Sequence, residues 1–190
     1  MKDNTISNVD TRIQEQQLVS EHIHWNPEWH IARYASQSDL KEQIVYEESE
    51  AFDLFDIHQF SDIRGNLLCT NGLLNLWKLV ATTGGTQYAN ANAYLGVGTS
   101  TTTATAADTA LGANAVYKAM DTGYPAISGT YNQTCTWQAT YGSSDANQAW
   151  EEFAVFTSVA GANMLNHLIS SQGTKSSGQT WQLQLAISLT

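Results

Sequence analysis

TWQLQLAISLT, residues 180–190, decides the fold. Trp181, Leu183, Leu185, Ile187 and Leu189 alternate with Gln182, Gln184 and Ser188. Period-two alternation puts every apolar side chain on one face of an extended strand and the polar ones on the other. A helix of 3.6 residues per turn would scatter the same residues around its circumference. QTCTWQATY, residues 133–141, repeats the pattern: Cys135, Trp137, Ala139 and Tyr141 alternate with Thr134, Thr136, Gln138 and Thr140. Clusters of turn-forming residues at 98–105, 142–145 and 173–178 separate the strand-like runs, the punctuation expected of two packed antiparallel sheets. The fold class is therefore mainly β, a β-sandwich of jelly-roll-like type.

Working back from these strands, residues 93–97 form another short run. GNLLCTNGLLNLWKLVATTGG, residues 65–85, is different. Leu73, Leu76, Trp77 and Val80 recur at helical spacing, which predicts one short helix over about residues 71–82 with that face inward. Thr70 or Asn71 would cap it and Gly84-Gly85 would end it. Upstream, residues 25–64 read as short strands. Trp25, Trp29, Ile31 and Tyr34 gather around a turn at Pro27, residues 43–46 form a second run, and AFDLFDIHQF (51–60) carries aromatics on both faces. The run Glu47-Glu48-Ser49-Glu50 reads as a solvated loop. Residues 1–24 are polar, with scattered apolar positions such as Val9, Ile13, Leu18, Val19 and Ile23, too sparse for a self-sufficient helix. They are expected to form an extended arm, ordered on a neighbouring subunit or partner. The chain thus divides into an arm, 1–24, and a sandwich domain, 25–190.

Charge follows the same division. Thirteen acidic residues stand against four basic ones through Ile63, and five against four from Arg64 onward, within a net charge of −10. No cluster of Lys and Arg occurs, so neither nucleic acid nor an anionic membrane is an expected partner. Charged residues make up 14% of the chain, below the roughly 25% of ordinary soluble domains. Thr, Ser, Asn and Gln replace them on a polar, uncharged surface. Cys69 and Cys135 both lie among apolar residues and read as free thiols acting as small hydrophobes. MKDNTISNVD at the start lacks the apolar stretch of a signal peptide, and no run approaches the roughly 20 apolar residues of a membrane helix. Synthesis in a bacterial cytoplasm without export is the expectation.

Reactive constellations are sparse. His22, His24 and His30 with Glu28 have a loose metal-ligand spacing that matches no established site. Glu151 and Glu152 beside Asp145 invite comparison with a glycosidase carboxylate pair. Adjacent strand residues point to opposite faces, however, so a partly buried carboxylate taking backbone or Asn hydrogen bonds in a turn is the better reading. Gly96-Val97-Gly98 lacks the Lys-Ser/Thr pair of a phosphate loop. No catalytic, cofactor-binding or metal-ligating residue is assigned, no cofactor is expected, and the chain reads as non-enzymatic.

From about Gly65 to Thr190 the sequence resembles a family of tailed-bacteriophage virion structural proteins. The landmarks are GNLLCTNGLLNLW (65–77), ANAYLGVGTSTTTATAADTAL (91–111), KAMDTGYP (118–125), TWQATYGSSDANQAWEEFAVF (136–156) and MLNHLISSQGTKSSGQTWQLQLAISL (164–189). The resemblance implies a β-sandwich in a capsid cement (decoration) protein or a tail-fibre module, located on the virion. It implies a major capsid protein and further copies of the chain, as a homotrimer, for partners. The alternative is a tail, neck or baseplate component that binds host glycan. Where the family pattern carries a basic residue, this chain has His167, so a charge-dependent contact there would follow pH. The arm lies outside the resemblance, but 24 residues extended at about 3.3–3.6 Å each would reach about 80 Å, enough to cross a joint between capsid subunits.

Overall fold

A computed structural model of the protein describes residues 25–35, 57–64, 66–158 and 163–189. The arm, the runs at 43–46 and 51–56 and the acidic run at 47–50 lie outside the described residues. The elements are β1 (Trp25–Tyr34), β2 (Ile57–Arg64), β3 (Leu67–Leu68), α1 (Thr70–Ala81), β4 (Tyr94–Gly98), β5 (Val116–Ala119), β6 (Ala126–Ser128), β7 (Thr134–Tyr141), β8 (Glu152–Phe156), β9 (Asn166–Ile169) and β10 (Thr180–Leu189). They form two five-stranded antiparallel sheets, in the orders β2-β1-β10-β7-β6 and β3-β9-β8-β4-β5.

β10 is the centre of the first sheet. It pairs with β1 from Trp25–Leu189 to Tyr34–Thr180, and with β7 from Trp181–Tyr141 to Ser188–Thr134. Trp181, Leu183, Leu185 and Ile187 are buried as the alternation predicts, whereas Leu189, at the open end of the strand, is half exposed. Gln182 and Gln184 are half-buried rather than free in water. The Gln184 amide donates to Gln138 Oε1 (3.0 Å) on the neighbouring strand, a polar ladder across the outer face.

The inner faces of both sheets meet in one core, where Trp29, Trp137, Leu183 and Leu185 pack against Leu95, Val97, Phe153 and Val155. Trp150 stands edge-on to Tyr141 and Trp181, with centroids 4.9 and 4.8 Å away, and Trp29 lies 5.8 Å from Phe153. The Arg33 guanidinium closes this end of the core. It stacks 4.7 Å above Trp181 and donates to Ser61 Oγ (2.8 Å) and the Gln172 carbonyl (2.9 Å). Lys175, also buried, donates to the Gly142 carbonyl and Asn147 Oδ1 and ties two loops together at the same end. Both cysteines are free, as expected.

Three expectations are corrected. Pro27 makes no turn and lies inside the continuous strand β1. Among the described residues β2 pairs with β1 from Glu28 onward and Pro27 is paired with Ile187 of β10, so a residue without an N–H is tolerated toward the end of the strand. The helix forms over Thr70–Ala81 but shows a different face to the core. Leu73, Trp77 and Val80 are exposed, while Gly72 and Asn75 are buried and Leu76 and Leu79 pack on the core. Asn75 faces inward because its amide closes a pair of hydrogen bonds with the Thr86 backbone (2.8 and 3.0 Å). Neither Thr70 nor Asn71 caps the helix. Cys69 holds the N-cap position without a side-chain bond, and the Thr70 N–H donates to the Ala106 carbonyl (2.8 Å). At the far end the helix stops before the glycines, where the Thr82 hydroxyl and N–H both turn back to the Lys78 carbonyl.

Candidate functional site

The loop of residues 99–115 joins β4 to β5, antiparallel neighbours whose ends meet at Val97–Val116. Instead of turning tightly, it folds back over the outer face of β8. Leu111 packs there with Cys69, Ala154, Phe156 and Met164 in a second small core. That cover explains why every residue of β8 is buried, polar Glu152 included.

Glu152 faces the loop, and its carboxylate is saturated. It accepts the N–H groups of Ser100 (3.1 Å), Gly112 (2.8 Å) and Ala113 (3.0 Å), and Oε2 lies 3.2 Å from His167 Nε2. Gly98 lies under this carboxylate in space that a β-carbon would take. His167, on β9 and buried, turns its other nitrogen to Asp108 Oδ2 at 2.7 Å. Asp108 in turn accepts the N–H and the hydroxyl of Thr105. Burial pushes the Glu152 carboxyl upward, but the bonds from His167 and the three amides outweigh it and hold the group below the ordinary glutamate range. Burial likewise pushes His167 down, and its two carboxylate partners outweigh that and raise it. Asp108 ends lowered, burial being outweighed by the Thr105 and His167 bonds.

A carboxylate–imidazole–carboxylate row has the parts of a proton relay. Here both ring nitrogens are engaged, His167 is 4% exposed and Glu152 is fully enclosed, so the row joins loop to sheet, with Asp108 as its partly exposed member. The charged partners of His167 in the structure are internal, Asp108 and Glu152. Glu151, Glu152 and Asp145 do not converge. Glu151 accepts the Ser171 hydroxyl, and Asp145 pairs with Lys118 and takes the Gly142 N–H. Gly96 and Gly98 are strand residues of β4. Glu28 and His30 lie on β1, whereas His22 and His24 fall outside the described residues; among the described residues no three His, Cys, Asp or Glu side chains are grouped to hold a metal.

Exposed apolar residues stand on several elements of the described structure. Trp150 lies against Trp181 and Phe153 against Trp29, so the later residues of β8 run toward Trp25, where β1 begins. The Cys69 N–H donates to the Leu165 carbonyl, and the Leu165 N–H to Val155, which places α1 at that same end. On α1, Leu73, Leu74, Trp77 (60% exposed) and Val80 (79%) project outward. Leu189 ends β10 there, and its N–H donates to Gln133. The β6–β7 hairpin adds Ile127 and Tyr131 (86% exposed). Leu67, on the edge strand leading into α1, completes the large exposed apolar residues among those described. In the sequence Leu73, Trp77 and Val80 read as the inward face of the helix and Leu189 as an inward strand position, whereas all four are exposed. Comparison of the chain with protein-family models, with curated proteins and with solved structures gives no match in any of the three.

Proposed function

We propose that this protein is a non-enzymatic structural subunit of a tailed-phage virion, a capsid cement protein whose apolar end is its attachment face. The observation that carries the reading is the exposure of Leu73, Trp77 and Val80 on α1, with Leu189 exposed at the end of β10, opposite the start of β1, and Tyr131 exposed in the β6–β7 hairpin. The arm, residues 1–24, joins the sandwich at that end, so arm and apolar surface address the same partner. The sequence landmarks from residue 65 onward support a virion role. Partners on this reading are the major capsid protein and neighbouring copies of the chain, as a trimer around a symmetry axis.

Exposed Trp77 and Tyr131 favour a second reading, since aromatic faces also serve as platforms for sugars. On it the subunit belongs to a tail, neck or baseplate, and the apolar end meets host glycan. The copy number per purified particle, measured by quantitative mass spectrometry against the major capsid protein, separates the two. Hundreds of copies support cement, because shell positions repeat with the capsid lattice. A handful of copies places the protein on the tail and overturns the cement reading.

A further inference from the structure

We propose that the Asp108–His167–Glu152 row is a pH-sensitive latch, which seats the 99–115 loop against the start of α1 and so sets the shape of the apolar end. The inference rests on reading that end as the attachment face only for its biological consequence; the latch itself stands on geometry.

The two carboxylates are not equivalent. Glu152 is enclosed and keeps three backbone donors whatever His167 does. Asp108 is partly exposed, and its Thr105 bonds lie within the loop itself, so among the described residues His167 is its hydrogen-bonded tie to the sheets. Both imidazole nitrogens face carboxylate oxygens, at 2.7 and 3.2 Å. Only the doubly protonated ring can donate to both; a neutral ring has one N–H and must turn a lone pair toward one of the carboxylates. Glu152 holds its place through the amides, so Asp108 is the partner released.

Release reaches α1 through a short path. Ala106, two residues before Asp108, accepts the Thr70 N–H, the first of the helix. Loss of the Asp108 contact therefore loosens the carbonyl that holds the helix start, next to Leu73 and Leu74. Among the described residues, the other titratable groups facing the row are Cys69, beside Asp108, and Tyr117, beside Glu152. Burial pushes the Cys69 thiol up to about 12 and raises the Tyr117 phenol, so both stay neutral while His167 titrates. β3 contributes only Leu67 and Leu68 opposite His167 and Asn166. The latch is closed with His167 charged and opens as pH rises through its titration.

Amide hydrogen exchange on the full chain tests this across a pH series that starts below the ordinary histidine value of about 6.5 and runs upward, the direction in which His167 is raised. After correction for base-catalysed intrinsic exchange, protection at Thr70 is expected to fall on the order of tenfold in the wild type. Gly112 and Ala113, held by Glu152, should stay protected. Asp108→Asn should show weak Thr70 protection that no longer depends on pH, with a cooperative melt attesting its fold. Parallel pH dependence in wild type and Asp108→Asn overturns the latch, as does joint loss at Thr70 and Gly112, which would be general unfolding. Particle binding is followed separately at about pH 6, where the latch is closed. A protein whose Thr70 protection titrates but which binds no particle keeps the latch and loses the attachment reading.

Discussion

A β-carbon on Gly72 would sit 2.5 Å from Leu165 Cα and 2.6 Å from the Met164 carbonyl oxygen. α1 therefore lies with its backbone directly on the chain entering β9, and the contact is possible only because position 72 has no side chain. The atoms met are backbone, which cannot swing aside.

Gly72→Ala consequently sets two effects against each other. Alanine favours a helix over glycine by about 1 kcal/mol, while overpacking against rigid backbone costs about 1–3 kcal/mol. A net loss of stability in a urea or guanidinium titration is expected. A variant more stable than wild type would show that the helix stands off from Leu165.

Trp77→Ser should do the reverse. With its ring largely in water, the substitution should change stability by no more than about 0.5 kcal/mol. Occupancy on particles should nevertheless drop, because the side chain is central to the exposed face of α1. Full occupancy at unchanged protein concentration would remove α1 from the attachment face.

Stability should depend on pH with a maximum on the mildly acidic side of neutral. The raised His167 contributes stability that is fully present below its unfolded value near 6.5 and is lost as pH rises through its folded value. The lowered Asp108 and Glu152 contribute stability present above the ordinary carboxylate range, near 4, and lost as pH falls through their folded values. Thermal melts across pH should thus peak between about 4.5 and about 6.5. Glu152→Gln should flatten that peak and cost about 3 kcal/mol, since it leaves His167 and a backbone donor without an anion in a closed site. An unaltered pH profile in this variant would mean the row does not govern the dependence.

Leu185→Asp tests the face assignment of β10. Leu185 is fully buried between Trp29 and Trp137 in register, and an unpaired carboxylate there costs several kcal/mol, a large part of the stability of a small domain. No soluble, cooperatively melting protein is expected. Its recovery would place the strand's inner face on the other side.

Removal of residues 1–24 should leave the sandwich folded, because the core residues from Trp29 to Ile187 lie elsewhere. Particle affinity should fall. Equal saturation of particles by full-length and shortened protein would show that the arm is no tether.

Strands β7 and β10 of the first sheet were readable in the sequence because their chemistry alternates with the pleat. In β7 and β10 each residue's neighbours two positions away share its environment, so Trp137, Ala139, Leu183 and Leu185 declare their side without reference to the rest of the chain. The helix was readable in extent, since Leu73 to Val80 contains no breaker that stops it, and in the absence of proline. Its orientation was not. Hydrophobicity pointed to Leu73, Trp77 and Val80, and the close approach of Leu165 and the Thr86 backbone selected Gly72 and Asn75 instead.

The candidate site was legible only as an oddity, a glutamate heading EFAVF and a histidine inside MLNHLI. Asp108 lies 59 positions from His167 in a Thr- and Ala-rich loop without periodicity, and no local pattern announces which carboxylate will meet which ring. By itself the sequence determined the class of fold and the faces of its central strands, because those follow from local alternation. Tertiary structure alone decided which helix face stays in water, which loop covers β8 and where a buried charge finds its partners, because those depend on contacts between segments far apart in the chain.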